Sequence, residues 1–167
     1  APEGGITILT SDFRIRQVDN FIIRYVRFRH QITGSTDASA LTLYECQNFI
    51  LDHVSASHGE DETIDMYSPL EPSGNVTVQN SLYSNSSKGG IAGTDSDGVN
   101  PDLGDFTFVN NLWSNVSHRF PNPQGQGQYD IINNVVYNWN ARLIRITNGG
   151  TYNIINNFIL LLFTRKS

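Results

Sequence analysis

Six segments of the chain repeat one arrangement of apolar and polar positions: Asn20-Phe-Ile-Ile-Arg-Tyr25, Asn48-Phe-Ile-Leu-Asp-His53, Asn75-Val-Thr-Val-Gln-Asn80, Asp105-Phe-Thr-Phe-Val-Asn110, Gln128-Tyr-Asp-Ile-Ile-Asn133 and Thr151-Tyr-Asn-Ile-Ile-Asn156. Each is a short, mainly β-branched or aromatic run that ends at a polar turn position. The closing positions 25, 53, 80, 110, 133 and 156 are separated by 28, 27, 30, 23 and 23 residues, a period typical of solenoids. A helical repeat would need apolar residues at i, i+3, i+4 and i+7 over a longer stretch, whereas these runs alternate at period two. Further short strands are predicted at Ala40–Tyr44, Thr63–Met66 and Arg142–Ile146, set off by Gly, Ser, Asn and Pro. Two or three strands per repeat predict an all-β fold. The expected architecture is a right-handed parallel β-helix of about six coils, one domain over residues 1–167.

The asparagine pairs at 110–111, 133–134 and 156–157 suit the corners of such coils, because Asn tolerates the left-handed conformation and its amide can bond backbone at a tight turn. Stacked coil on coil, Asn80, Asn110, Asn133 and Asn156 are expected to form an internal amide ladder, each side chain donating and accepting.

Composition narrows the function. With 38% hydrophobic residues in 167 the chain can fill one core. No run approaches the roughly eighteen apolar residues of a membrane span; the run 158–163 has six and is expected to be the strand that closes the last coil, with its apolar surface exposed. A net charge of −5 argues against nucleic acid as partner. Single Cys46 excludes an internal disulfide framework and is expected to be a small buried hydrophobe. Ala1-Pro-Glu-Gly reads as a mature or trimmed start rather than a signal peptide. Asn75, Asn85 and Asn115 begin glycosylation sequons, a weak signal in an Asn-rich chain.

Candidate chemistry lies between residues 37 and 124. Asp61 and Asp65, four residues apart, fall on one face of a strand, and Asp37 lies about one coil earlier. Carboxylates at the roughly 4.8 Å spacing of stacked strands repel, so one protonates or a cation joins them. Hard oxygen donors with no Cys or His pair nearby point to Ca²⁺ over Zn²⁺; solvated loop carboxylates are the plainer alternative. Lys88 and Arg119 follow on successive coils. Alone, each reads as a surface charge; together, beside an anionic metal site, they describe a groove for a uronate carboxylate.

These residues resemble the pectate lyases, which share the right-handed parallel β-helix with pectin lyases. The resemblance runs from Phe13 to Asn157. The segment 48–53 looks like the family's "WIDH" strand, Asp61 and Asp65 like its calcium aspartates, the segment beginning Lys88-Gly-Gly like its groove lysine, and Arg119-Phe-Pro121 like the start of its Arg-x-Pro-x-x-Arg signature. It implies Asp37, Asp61 and Asp65 as ligands of Ca²⁺, Lys88 as a catalytic and substrate-carboxylate residue, Arg119 as catalytic base, and Pro121 and Gln124 at the substrate. The implied activity is β-elimination in polygalacturonate, an acidic polysaccharide, by a secreted enzyme. Only a neutral guanidine can take a proton, so the resemblance also implies an alkaline optimum. Glu60 and Glu62 are the next candidates for the base.

The chain departs from the family pattern in three places. Gln124 stands where the second arginine belongs and brings no charge to a carboxylate. Ser39 stands where many relatives carry another aspartate, which weakens calcium binding. The chain also lacks recognisable caps, which fits a compact variant, a trimmed fragment or an oligomer that covers its own exposed strand ends. Competing readings are a calcium-independent pectin lyase, a hydrolase with paired carboxylates and a non-catalytic glycan-binding solenoid.

Overall fold

The repeated apolar runs all become strands, and they lie beside one another in a parallel six-stranded sheet: Phe21–Arg24, Gln47–Asp52, Gly74–Gln79, Phe106–Val109, Gln128–Ile132 and Thr151–Ile155. The structure is a computed structural model that describes residues 5–68, 74–93, 104–146 and 149–161; the last residues of the apolar run at 158–163 fall outside them. Among the described residues there is no helix. The six strands are the rungs of a parallel β-solenoid, as the period requires.

A second sheet of eleven strands supplies the other two faces. One face holds Ile6–Thr10, Val26–His30, Ser55–Ser57, the first half of Leu82–Gly93, Leu112–His118, Val135–Tyr137 and Phe158–Leu160. The other holds Arg14–Arg16, Leu41–Tyr44, Glu62–Tyr67, the second half of Leu82–Gly93 and Asn122–Gln124. The twelve-residue strand Leu82–Gly93 turns the corner between them, with Leu82 beside Ser55 and Leu112, and Ile91 beside Asp65 and Asn122.

The strand expected at Arg142–Ile146 does not form. Leu143 and Ile144 still pack against the core, and the Leu143 carbonyl accepts from the Phe120 amide at 3.2 Å. The preceding coil supplies Pro121 and Pro123 at this level, and proline has no N–H with which to extend a ladder.

Register turns side chains into columns. Phe21 stacks on Phe49 with ring centroids 5.0 Å apart, and Phe106, Tyr129 and Tyr152 form a three-ring stack at 5.4 and 5.2 Å. On the second sheet Tyr83 stacks on Trp113 at 4.5 Å, and Phe120 meets that indole edge-on at 6.2 Å. These rings are buried apart from the half-buried Phe21 and Tyr152, and each pair adds roughly 0.5–1.5 kcal/mol beyond the area it buries. Cys46 is buried too.

The asparagine ladder is real but shifted by one residue. Asn80, Asn110, Asn133 and Asn156 sit at corners with φ between 50° and 58°, exposed, with Asn110 donating to Asn80 at 3.3 Å and Asn156 to Asn133 at 2.8 Å. The internal ladder is made by their successors. Asn111 Nδ2 donates to Asn134 Oδ1 and Asn134 Nδ2 to Asn157 Oδ1, both at 3.0 Å. The same oxygens accept the backbone N–H of Asn111 and Asn134, and the freed amide hydrogens go to the carbonyls of Val78 and Phe108. A left-handed residue occupies the outside of the corner, and strand alternation then sends its neighbour inward. The sequon residues Asn75 and Asn115 are corner residues of the same kind, bonded to Asn48 at 2.8 Å and Asn85 at 3.1 Å.

Removing one rung of the buried ladder should therefore cost far more than removing an exposed one. Asn134→Ala strands the Asn111 donors and two carbonyls, at about 1–3 kcal/mol for each buried group left unmade. Asn133→Gly keeps the left-handed corner and should shift stability by less than about 1 kcal/mol. Urea unfolding followed by far-ultraviolet circular dichroism should show Asn134→Ala losing at least about 2 kcal/mol more than Asn133→Gly.

Candidate active site

The carboxylates and cations singled out in the sequence line one cleft of about 330 Å³: Asp37, Asp61, Asp65, Lys88 and Arg119, with Glu62, Tyr67 and Ile91. They come from three successive coils and a loop. Asp61 precedes the strand Glu62–Tyr67, Asp65 lies within it, Lys88 sits in the neighbouring strand opposite Glu62, and Arg119 follows Leu112–His118 one coil on.

Two glycines make that stacking possible. A Cβ on Gly89 would lie 1.9 Å from the Arg119 carbonyl oxygen, and one on Gly90 would lie 2.4 Å from the carbonyl oxygen of Ile64. The Gly90 amide instead donates to the Arg119 carbonyl at 2.9 Å. Lys88-Gly-Gly is thus a lysine at a place where three coils touch backbone to backbone. Arg119 itself has a φ of 70°, a left-handed conformation uncommon outside Gly, Asn and Asp. That turn brings its side chain back across the cleft.

The charges are interlocked. Lys88 Nζ pairs with Asp61 Oδ1 and lies 3.8 Å from Glu62 Oε1, which also receives Arg119 NH1. Arg119 Nε is buried with no hydrogen-bond partner among the described residues. Burial works against ionised Asp61, but hydrogen bonds from Glu62 and Lys88 and the charges of Lys88 and Arg119 bring it below the ordinary aspartate value. Glu62 moves the other way. Its burial, the hydrogen bond with Asp61 and the charges of Asp65 and Asp61 outweigh Arg119 and push it up to about 8, so it holds its proton at neutral pH. His118, beside Lys88 in register, is lowered by burial and by the charges of Arg142, Arg119 and Lys88.

Glu62 is the site residue to which the sequence reading gave only a fallback part. Its signal was phase: Glu62, Ile64 and Met66 occupy the inward positions of one strand and all three are buried. A carboxylate there is a rare burial that calls for partners. Glu60, the other fallback, points elsewhere. It bonds His30 Nε2 at 2.9 Å and accepts from the Thr33 amide at 3.1 Å, the Thr33 hydroxyl at 3.0 Å and the Gly34 amide. Those bonds, led by the one from His30, lower its carboxyl to about 2. Glu60 holds the loop that carries Asp37, rather than facing the cleft. Pro121 is buried and Gln124 is half-buried with its backbone oxygen accepting from Tyr129 at 3.0 Å; neither lines the cleft.

Hard anionic oxygens from Asp37, Asp61 and Asp65 are a donor set suited to Ca²⁺. Among the described residues no three acidic, His or Cys side chains converge on one point as around a bound ion. Asp61 would have to exchange Lys88 for the cation.

The model for the family described as pectate lyase matches residues 3–161. The chain is 34% identical over 133 residues to a probable pectate lyase C of Emericella nidulans and 32% identical over 133 residues to that of Aspergillus flavus. Each match takes in 77% of this chain and 29% of the relative. A probable pectate lyase B of Aspergillus terreus is 30% identical over 129 residues, 72% of this chain and 38% of the relative. The chain thus spans about 29% of the length of the first two. Among solved structures, Jun a 1, the major allergen of cedar pollen, superposes with a TM-score of 0.64 at 21% identity, over 92% of this chain and 50% of that one, which establishes the shared fold.

The geometry makes Glu60 a staple on the loop that carries Asp37. In Glu60→Ala, amide exchange at Thr33 and Gly34 should quicken at least about tenfold, because each loses the acceptor that protects it. Exchange at Val76 and Val78, in the six-stranded sheet, should be unchanged. Hydrogen–deuterium exchange read by NMR checks both.

Proposed function

The chain belongs to the pectate lyase family, and from that membership together with the cleft we propose that it cleaves an acidic polysaccharide, polygalacturonate, by calcium-dependent β-elimination outside the cell. The observation that carries the proposal is the meeting of Asp37, Asp61 and Asp65 with Lys88 and Arg119 around one cleft. Taken separately these are common surface residues; their convergence from different coils is what a uronate site needs.

The proton to be removed, at C5 of the sugar, is α to a carboxylate, and it leaves only if the charge that develops there is stabilised. Asp37, Asp61 and Asp65 would hold Ca²⁺, which when bound supplies that stabilisation to the substrate carboxylate. Lys88, free to leave Asp61 as the cation arrives, adds a point charge to the same carboxylate. Arg119 takes the C5 proton, the electron pair of that C–H bond forms the C4=C5 double bond, and the C4–O glycosidic bond breaks with its electrons on oxygen. The neutral fraction of the guanidine grows with pH, which makes an alkaline optimum part of this reading.

We extend the proposal to the solenoid end. Ile154, Ile155, Phe158, Ile159 and Leu160 are exposed on the last described strands, an apolar edge of the kind that pairs with another chain or is covered by further chain beyond Ser167. Self-association should appear as a concentration-dependent mass in light scattering, and a stable monomer at high concentration would count against it.

Two measurements test the activity. Wild-type protein with polygalacturonate and calcium should generate the ultraviolet absorbance of an unsaturated product, lost on adding chelator and in Asp65→Ala with the β-rich circular dichroism retained. Chelator-resistant turnover would favour the calcium-independent alternative, and no product at all would favour a binding solenoid. Arg119→Lys should lower kcat by at least about 10², the low end of general-base contributions, with a much smaller change in KM. Near-normal turnover in that variant would move the base elsewhere.

A further inference from the structure

A groove on another side of the solenoid carries chemistry that the cleft does not use. It follows the corner between the six-stranded sheet and the face that holds Ser55–Ser57, encloses about 740 Å³ and shares no residue with the cleft. Register gives it a floor and two walls. Buried Val54, Ser81 and Asn111 form the floor. One wall is the row of left-handed corner residues Tyr25, His53, Asn80, Asn110 and Asn133, with φ between 50° and 58°. The other, two residues on, runs through Ser55, Leu82, Leu112 and Val135, which pair coil on coil.

The polar wall is preorganised from behind. The buried carboxylate of Asp52 accepts from His53 Nδ1 at 2.8 Å, from Asn80 Nδ2 at 3.1 Å and from Arg24 Nε at 2.8 Å. A carboxylate only accepts, so His53 carries its proton on Nδ1 and its neutral ring keeps Nε2 as an acceptor. That ring lies 5.1 Å from the exposed ring of Tyr25. Asn110 spends one amide N–H on Asn80, which leaves its second N–H and its oxygen for a ligand. The opposite wall is aliphatic. Leu82, Leu112 and Val135 are all exposed, and a contiguous exposed apolar row, unlike a single exposed leucine, marks a binding surface. Of the residues that line the groove only Arg27 and His53 can carry charge near neutral pH, and none is a carboxylate.

We propose that this corner groove binds a neutral, linear 1,4-linked polysaccharide lying along the solenoid axis. A sugar unit presents hydroxyls at its edge and C–H groups on its face, so the amide row and the aliphatic row meet complementary parts of the same unit. Coils repeat at roughly 4.8 Å, about the advance of one extended sugar unit, and a match at one coil therefore carries to the next. Tyr25 and His53 close one end of the rows with a rigid ring and a fixed acceptor. An acidic polymer does not suit the groove. Its carboxylates would meet a single arginine, Arg27, and the rest would lose water without a partner. The groove owes nothing to the chemistry of the cleft, so the proposal does not rest on the proposed function.

Calorimetric titration at neutral pH tests it, with cellohexaose, xylohexaose and hexagalacturonate as probes. At least one neutral hexamer should bind. Leu112→Asp, which puts a charge in the middle of the aliphatic row, should weaken that binding at least about tenfold. Asn110→Gly keeps the left-handed corner while removing the amide, and should weaken it at least about threefold. Hexagalacturonate should respond to neither substitution, and circular dichroism should show both variants folded as the wild type. Failure of both neutral hexamers to bind overturns the proposal, as does a neutral hexamer whose affinity both variants retain. Hexagalacturonate binding lost in Leu112→Asp as steeply as that of the neutral hexamer would make the groove indifferent to charge and overturn its preference. Self-association that disappears in Leu112→Asp, with no sugar bound, would give the face to a second copy and overturn it as well. Titration needs no turnover, so wild-type protein that yields no unsaturated sugar would overturn the proposed function and leave this result standing.

Discussion

Everything in this molecule follows from parallel hydrogen bonding between successive coils. Once the strand Gln47–Asp52 lies in register on Phe21–Arg24 and under Gly74–Gln79, each position of a coil has a like position above and below at strand spacing. Like residues then stack, which is favourable for aromatic rings and for amides that both donate and accept, and unfavourable for like charges. The ring column of Phe106, Tyr129 and Tyr152 and the inward column of Asn111, Asn134 and Asn157 are the favourable cases. The acidic cleft is the unfavourable one, with cations interleaved between its carboxylates.

That interleaving shows how a fold built on repetition makes a site that is not repeated. Asp61, Glu62 and Asp65 bring three carboxyl groups onto one coil, and Lys88 and Arg119 arrive from the next two to engage Asp61 and Glu62. Without them a buried Glu62 would have no charge partner, and even with them it keeps its proton into the neutral range. The close approach that allows the pairing is a backbone property. Gly89 and Gly90 leave no Cβ between the coils, so the lysine reaches Asp61 and Glu62 and the arginine reaches Glu62. The Asp37 loop is held separately, from Glu60 and the buried His30, so its placement does not draw on the charges of the cleft.

The repeat spacing and the period-two runs determined a parallel β-solenoid, and all six predicted rungs formed where the pattern put them, because alternation and turn residues are local properties of the chain. The convergence of Asp37, Asp61, Asp65, Lys88 and Arg119 was legible for a related reason: in a solenoid, sequence separation by one period is spatial adjacency. Three things were decided only by the tertiary structure. Which asparagine of each pair turns inward depends on the corner conformation, not on the residue type. Whether Arg142–Ile146 could join a ladder depended on the prolines of the coil beside it. The division of labour between Glu60 and Glu62, two residues apart in sequence and sent to opposite tasks, depended on what lay beside each: a histidine and a loop in one case, an arginine and a lysine in the other. Composition cannot separate two neighbouring glutamates; only the partners that the fold places against them can.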